Sequence, residues 1–402
     1  MRSPAMPCVL FVHAGAELYG ADRILLELIE GISAKGFGIH VVLPGPGPLH
    51  AELAKLGVPV YQRSLGVLRR KYLTPLGLVN RLCRMVTAVG FLRKLILELG
   101  VDVVHSNTTA VFSGVIAARL AGVPHVWHVH EITTRPVWFA RAVASCVGWF
   151  SQRAVFVSEA AREHMCRLSE RVRQRALVIH NGIDTQRVLG ALPGVLRAEN
   201  GWTAEQPVVG MIGRINWWKG QGKLLEAAAL LAPRYPDLRF VLVGGAYQGE
   251  LRTRDELLAG IAEHLLEGTV VVTDFRDDVA NVLADLDVFV LPSTQPDPFP
   301  TVVLEAMAAA LPVVAFRHGG VCEMVQHGES GLLCGPCSAV ELAQAIESLL
   351  QSASLRQGMG RAGRERLHRM FSRQAFVDQF AALYVELAMG GDRVEPRSRR
   401  SA

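Results

Sequence analysis

Several things are missing from this chain, and each absence narrows its role. No apolar run reaches the roughly eighteen residues that a membrane-spanning helix needs, although half of the 402 residues are hydrophobic. Only 20% of residues are charged, and the composition carries no sign of disorder, so a chain of this length is expected to form two sizeable cores. The cysteines (Cys8, Cys83, Cys146, Cys166, Cys322, Cys334, Cys337) are odd in number and scattered, which argues for reduced thiols rather than a disulfide framework. Cys334-Gly335-Pro336-Cys337 has a redox spacing. It follows a Gly-Leu-Leu strand instead of opening a helix, and no second pair offers metal ligands, so it reads as a turn. Met1 to Pro7 lacks the charged-then-apolar pattern of a signal peptide, and a cytoplasmic location is expected. No D-x-D segment stands out as a metal site, no repeat has solenoid spacing, and no nucleic-acid partner is expected.

Charge is distributed unevenly. Residues 1–190 carry 22 Lys and Arg against 12 Asp and Glu, a net of +10, whereas residues 191–402 carry 20 against 25, a net of −5. Much of the excess lies in 69–94, where Arg69, Arg70, Lys71, Arg81, Arg84, Arg93 and Lys94 interleave with leucines, Val79, Met85 and Phe91. Such a stretch suits an anionic membrane surface or an anionic acceptor; a helix pair with a core side and a solvated basic side fits equally.

Apolar runs alternate with amphipathic segments, the pattern of repeated strand-helix units with helices on both faces of a parallel sheet. Strands are expected at Cys8 to His13, Ile39 to Leu43, Val101 to His105, His125 to His130, Ala154 to Val157 and Leu177 to Ile179. A second set runs Val208 to Ile212, Arg239 to Val243, Val270 to Thr273, Val288 to Leu291, Val313 to Ala315 and Gly331 to Leu333. Two doubly wound domains follow, at 1–186 and 187–375. The glycine- and proline-bearing stretch Asp184 to Pro207 is placed as the hinge. Ser372 to Leu387 reads as an amphipathic helix, and 390–402 as a disordered basic tail.

Four constellations carry chemistry. Asp297-Pro298-Phe299-Pro300-Thr301 leads into Val302 to Ala310, with Pro298 and Pro300 keeping the leading residues out of the helix. Glu305 is expected early in that helix, near its positive end, where a carboxylate can accept from sugar hydroxyls and free amides can hold phosphate oxygens. Gly213-Arg214-Ile215-Asn216-Trp217-Trp218-Lys219-Gly220 ends a strand with two cations at its mouth, suited to a diphosphate. In His125-Val126-Trp127-His128-Val129-His130-Glu131, His128 and His130 share one face, because side chains alternate along a strand. His128 reads as a buried histidine satisfying backbone groups more readily than as a catalytic one. Glycines at Gly15 and Gly20 stand between the first strand and its helix, where backbone approaches phosphate. The spacing is not G-x-G-x-x-G, and no acid closes the second strand, so a nicotinamide cofactor is not expected.

The Asp297-to-Glu305 spacing resembles the E-x7-E signature of retaining glycosyltransferases with two Rossmann-like domains (the GT-B architecture), above all family 4, with Asp where that family usually has Glu. Gly213-Arg214 to Lys219-Gly220 is similar to its G-R-x4-K-G pattern, and His130-Glu131 to its His-Asp position. Ser158-Glu159-Ala160, Asn181-Gly182, Leu242-Val243-Gly244-Gly245, Asp274 to Val279 and Gly319-Gly320 also match. The resemblance runs from about residue 9 to about residue 388 and implies two domains facing across a cleft, with helix 376–389 crossing back to the first. It implies a nucleotide-sugar donor (UDP-, GDP- or ADP-linked), no further cofactor and no metal. His130, Arg214, Lys219, Asp297 and Glu305 would carry the reaction. Gly15, Gly20, Gly213, Gly244, Gly245, Arg276, Asp278, Phe299, Pro300 and Thr301 would hold the donor. His128, Glu131, Ser158 and Asn181 would lie by a glycan or lipid-linked acceptor. A nucleotide-sugar epimerase and a non-catalytic binding subunit remain as alternatives.

Overall fold

The computed structural model describes residues 6–67, 72, 74–246 and 251–390, and the chain divides into two compact units. One takes residues up to Gly182 together with Arg373 onward; the other is Ile183–Ser372. The divisions thus fall a few residues before 186 and 375.

The first unit holds a seven-stranded parallel sheet in the order β3 (Val60–Gln62), β2 (Gly38–Leu43), β1 (Cys8–Val12), β4 (Val103–Ser106), β5 (His125–Val129), β6 (Arg153–Phe156), β7 (Ala176–Val178). The second holds a six-stranded parallel sheet, β10 (Val270–Thr273), β9 (Arg239–Val243), β8 (Val208–Ile212), β11 (Val288–Leu291), β12 (Val313–Phe316), β13 (Gly331–Cys334). Both are doubly wound sheets whose strand order reverses beside the first strand of the unit. Ligands of such sheets bind outside the carboxyl ends of the strands at that reversal. The central strands are apolar on both faces because helices cover both; Val9, Leu10, Phe11 and Val12 are fully buried. Among the described residues only β3 lies outside the expected strands, since three residues at a sheet edge show no periodicity.

The terminal helix, Arg373–Met389, belongs to the first unit. It buries Phe376, Val377, Phe380, Leu383, Tyr384 and Leu387 and lies on the helix Gly20–Ala34. The two backbones come so close that a Cβ on Gly31 would stand 2.3 Å from Val377 Cγ2. Charges reinforce the contact: Arg373 pairs with Glu27 (3.0 Å) and Glu30 (2.9 Å), Lys35 with Asp378 (2.6 Å). Apart from Gly390, the tail 390–402 lies outside the described residues, as do Arg69, Arg70 and Lys71.

The stretch expected as a hinge is not a free linker. It forms two short helices, Gln186–Leu189 and Val195–Glu199, and is fastened to the second unit. Asp285 accepts from the amides of Gly194 (2.5 Å) and Arg197 (3.1 Å), and Arg197 donates to the carbonyls of Thr203, Gln206 and Asp285. Helices of four and five residues are too short to show an apolar period, which is why the sequence reads as a break there.

Candidate active site

In the second unit β8 and β11 are neighbours, and the loops leaving them meet at the reversal of strand order. The loop after β8 is set by its own side chains. Asn216 Oδ1 accepts from the amides of Trp218 (3.3 Å) and Lys219 (3.0 Å), and Gln221 Nε2 donates to the carbonyl of Arg214 (3.0 Å). Gly220 has φ +84°, and a Cβ there would stand 1.7 Å from the carbonyl oxygen of Pro292, so only glycine fits where the two loops touch. Thr294 ties them further, donating from its amide (2.7 Å) and hydroxyl (3.2 Å) to the carbonyl of Trp218.

This joint brings together two residues 78 positions apart: Lys219 Nζ lies 2.5 Å from Asp297 Oδ2, and their side chains are only 16% and 11% exposed. The ammonium also lies 4.4 Å from the centre of the Trp218 ring. Asp297 is itself held from beneath, because Gly320 donates its amide to the Asp297 carbonyl (2.8 Å), and a Cβ on Gly320 would sit 1.9 Å from the Pro298 oxygen. Arg214 is exposed on the same loop.

The helix after this turn is Thr301–Ala308, with Pro300 at its cap. Glu305 is fifth of its eight residues, a full turn in, and not at the positive end where the sequence placed it. Phe299 turns into the core against Phe371, ring centres 5.5 Å apart, and Pro300 is buried. Gly213 donates to the Val243 carbonyl (2.8 Å), and a Cβ on Gly244 would stand 2.1 Å from the Gly213 oxygen, so the ends of β8 and β9 press together; Gly245 lies against Phe275. Arg276 is clamped by Glu199 (2.5 and 3.1 Å) and Asp278 (2.8 and 2.7 Å). Hydrogen bonds from its guanidinium hold the Asp278 and Glu199 carboxyls below their usual range. Asp285-Leu286-Asp287 does have the D-x-D spacing that the sequence reading passed over. Its carboxylates serve Arg197 and the amides of Gly194, Arg197 and Val208. Among the described residues no group of three or more His, Cys, Asp or Glu side chains is arranged to hold a metal ion.

In the first unit the corresponding place lies beyond β1 and β4, where His13 and Asn107 stand. His13 Nε2 is 2.5 Å from Asp22 Oδ1, both buried, and Asp22 Oδ2 accepts from the Tyr19 amide (2.9 Å) at the start of the helix Gly20–Ala34. Gly20 opens that helix, and Gly15 passes so near Asp22 that a Cβ would be 3.2 Å from Oδ1. Asn107 lies among His13, His105, His128 and His130. His128 and His130 do share a side, with ring centres 4.0 Å apart, and His128 packs on Phe380. Burial, with the other histidines as neighbours, pushes His105 and His130 down to about 3 and His128 well below its ordinary value; burial alone takes His125 to about 3. His105, His125, His128 and His130 are neutral at neutral pH.

Glu131 accepts from the hydroxyls of Thr108 and Thr109 and the Thr109 amide, fixing the turn after β4; burial raises its pKa against those bonds. Ser158 caps the helix Glu159–Leu168, accepting from the Ala161 amide (3.1 Å). Asn181 is buried with its Oδ1 unpartnered. Sequence reasoning overlooked Asn107, His13, Asp22, His105, Tyr384 and Asn216. For Asn107 and His13 a signal existed, since each directly follows an apolar strand whose carboxyl end is a binding edge.

Two doubly wound units, each with a polar cluster at its strand-order reversal, form the architecture that this chain shares with GT-B glycosyltransferases of known structure. Residues 19–187 match the model described as Glycosyltransferase Family 4, and residues 195–366 that described as Glycosyl transferases group 1. Alpha-maltose-1-phosphate synthase of Mycolicibacterium smegmatis is 32% identical over 308 residues, covering 70% of this chain and 78% of that protein. 2-Deoxystreptamine glucosyltransferase of Streptomyces kanamyceticus is 30% identical over 272 residues, covering 64% and 69%. Among solved structures, Anabaena HepE in complex with UDP-glucose superposes with a TM-score of 0.81 at 26% identity over 94% of this chain and 99% of that one. This chain belongs to the GT-B glycosyltransferases of the family-4 kind.

Proposed function

We propose that the protein transfers a hexosyl group from a nucleotide diphosphate sugar to an acceptor hydroxyl, with retention at the anomeric carbon, in the synthesis of a glycan, polysaccharide or glycolipid. The observation that carries this is the Lys219–Asp297 pair at the strand-order reversal of the second sheet, with Arg214 on the same loop. As the bond from the anomeric carbon to the diphosphate oxygen breaks, negative charge gathers on the leaving group, and Lys219 and Arg214 are fixed cations for it. Asp297 holds the Lys219 ammonium in place, and Glu305 accepts from donor hydroxyls. The acceptor oxygen bonds to the same face of the anomeric carbon, and its proton passes to the departing phosphate oxygen. The two cations take the part that a divalent metal plays elsewhere. UDP-glucose is the first donor to test, being the molecule bound in the HepE structure.

The experiment is thermal stabilisation of the purified chain, without metal, by UDP, GDP, ADP and their sugars, beside Glu305→Ala. At about a hundred times Kd one nucleotide sugar should stabilise by about 3 kcal/mol, and the variant should lose most of that gain. No shift with any of them would end this reading. Conversion of donor without acceptor would indicate an epimerase, and binding without turnover a non-catalytic subunit.

The helix Pro75–Leu99 supports a lipid-linked acceptor and attachment to an anionic membrane surface. It buries Ala88, Leu92, Leu95 and Ile96, yet its outward side exposes Leu76 (86%), Val79 (60%), Leu82 (54%) and Val86 (63%), with Arg84, Arg93 and Lys94 also exposed. Before Glu98 the helix has no acid to offset these cations, which complements an anionic bilayer. No helix among the described residues is long and apolar enough to cross a membrane; the attachment proposed is peripheral. The chain should sediment with phosphatidylglycerol vesicles at low salt and not with phosphatidylcholine vesicles, and Leu82→Asp with Val86→Asp should release it. Equal recovery in the supernatant with both vesicles would remove the membrane from the account.

A further inference from the structure

One side chain in the first unit orders the histidines around it. The amide nitrogen of Asn107 lies 3.3 Å from the carbonyl oxygen of Ala21, which only accepts, so the orientation of the carboxamide is fixed independently of the histidines. Its oxygen is then the atom 3.1 Å from His128 Nδ1 and 3.1 Å from His130 Nε2. An amide oxygen has no proton to give, so both ring nitrogens carry one. A neutral imidazole carries a single proton, and His130 therefore leaves Nδ1 as its lone pair. The network closes consistently around this choice. His13 accepts from Asn107 at Nδ1 (3.3 Å) and donates from Nε2 to Asp22, while His105 turns Nε2 to the same oxygen (3.4 Å) and accepts from the Tyr384 hydroxyl at Nδ1 (2.7 Å).

We propose that Asn107 is a positioning residue that holds His130 as the Nε2–H tautomer, so that Nδ1 is the atom offered to a hydroxyl of a sugar substrate. The proposal rests on the hexosyl-transfer reading above, with His130 among the residues that carry the reaction, and Asn107 acts only through it. A sugar hydroxyl must then donate at this contact. The opposite tautomer would present an N–H and reverse the demand. The groups that face this network and set its charge are His13 and Asp22 from the β1 end and the helix after it, His105 from β4, His128 and Glu131 beside His130, and Tyr384 from the terminal helix.

Nitrogen NMR of the histidine-labelled full chain, without ligand, tests this directly. Wild-type His130 should show one tautomer, protonated at Nε2, from pH 5 to pH 8. Asn107→Ala should give a mixture of both. Asn107→Asp should keep the Nε2 proton but raise the His130 pKa into the measured range, because a carboxylate now favours the charged ring. A wild-type His130 protonated at Nδ1, or a mixture there, overturns the proposal, as does an unchanged single tautomer in Asn107→Ala. In turnover with UDP-glucose, Asn107→Ala should lower kcat about tenfold with KM for the donor within about twofold. A lost tautomer with unchanged kcat also refutes the role. Failure of wild type to use UDP-glucose counts against that donor alone, because the tautomer is measured without it.

Discussion

Lys219→Ala should lower kcat by about 10²–10³ while leaving the fold intact. The expectation is large because the ammonium is a fixed cation in a mostly buried place, where no water reorganisation is needed to meet growing charge on the leaving diphosphate. The loop that carries it does not depend on the side chain: Asn216, Gln221 and Gly220 shape the backbone, and Thr294 joins it to the loop after β11. Removal does leave Asp297 without its 2.5 Å partner, so part of the loss reflects an uncompensated carboxylate beside the donor phosphates. Asp297→Asn separates the two effects. It keeps the cation and removes the charge that holds it, and should cost less than Lys219→Ala. Steady-state kinetics on both variants is the measurement; near-normal kcat in Lys219→Ala would refute the assignment.

Between pH 7 and pH 5 the first unit should lose several kcal/mol of stability. His105 and His125, both essentially fully buried, are pushed by burial from the ordinary 6.5 to about 3. A group depressed in this way is neutral in the folded chain and protonated in the unfolded one throughout the window between those values. The unfolded state binds more protons there, so stability rises with pH across the window and falls as pH drops below 6.5. For each of these two histidines the loss at pH 5 comes to about 2 kcal/mol as an upper figure, and His128 contributes in the same direction. The second unit has no comparable buried cluster among its described histidines: His318 is only partly buried, and the burial that lowers it is opposed by a backbone hydrogen bond at Ser293 and by Asp297. Calorimetric scans at pH 7, 6 and 5 should therefore show the transition of the first unit moving down by more than that of the second. Equal displacement of both would show that the histidines do not govern acid sensitivity.

The sequence was informative where a feature is local. Twelve of the thirteen strands among the described residues could be read from it because a strand covered on both faces is a continuous apolar run, and the buried face of the terminal helix because its apolar residues recur at helical spacing. The glycine, Arg214, Lys219 and Asp297 motifs were legible as residue types at fixed spacing, and with them the GT-B class. The short helices in the supposed hinge were not, because four or five residues do not complete a periodic signal. Nor did the sequence tell Arg276 and Asp278 in a mutual clamp with Glu199 from residues free to meet a donor. Which ionisable groups face one another was decided only by the tertiary structure. Lys219 and Asp297 meet because two loops leave adjacent strands at a reversal of strand order. His13, Asn107, His130 and Tyr384 meet because the sheet orders β1, β4 and β5 side by side and the terminal helix returns to cover them. Side-chain type and period are properties of neighbours along the chain, whereas these contacts join residues from 23 to 279 positions apart and exist only once strand order has closed the distance.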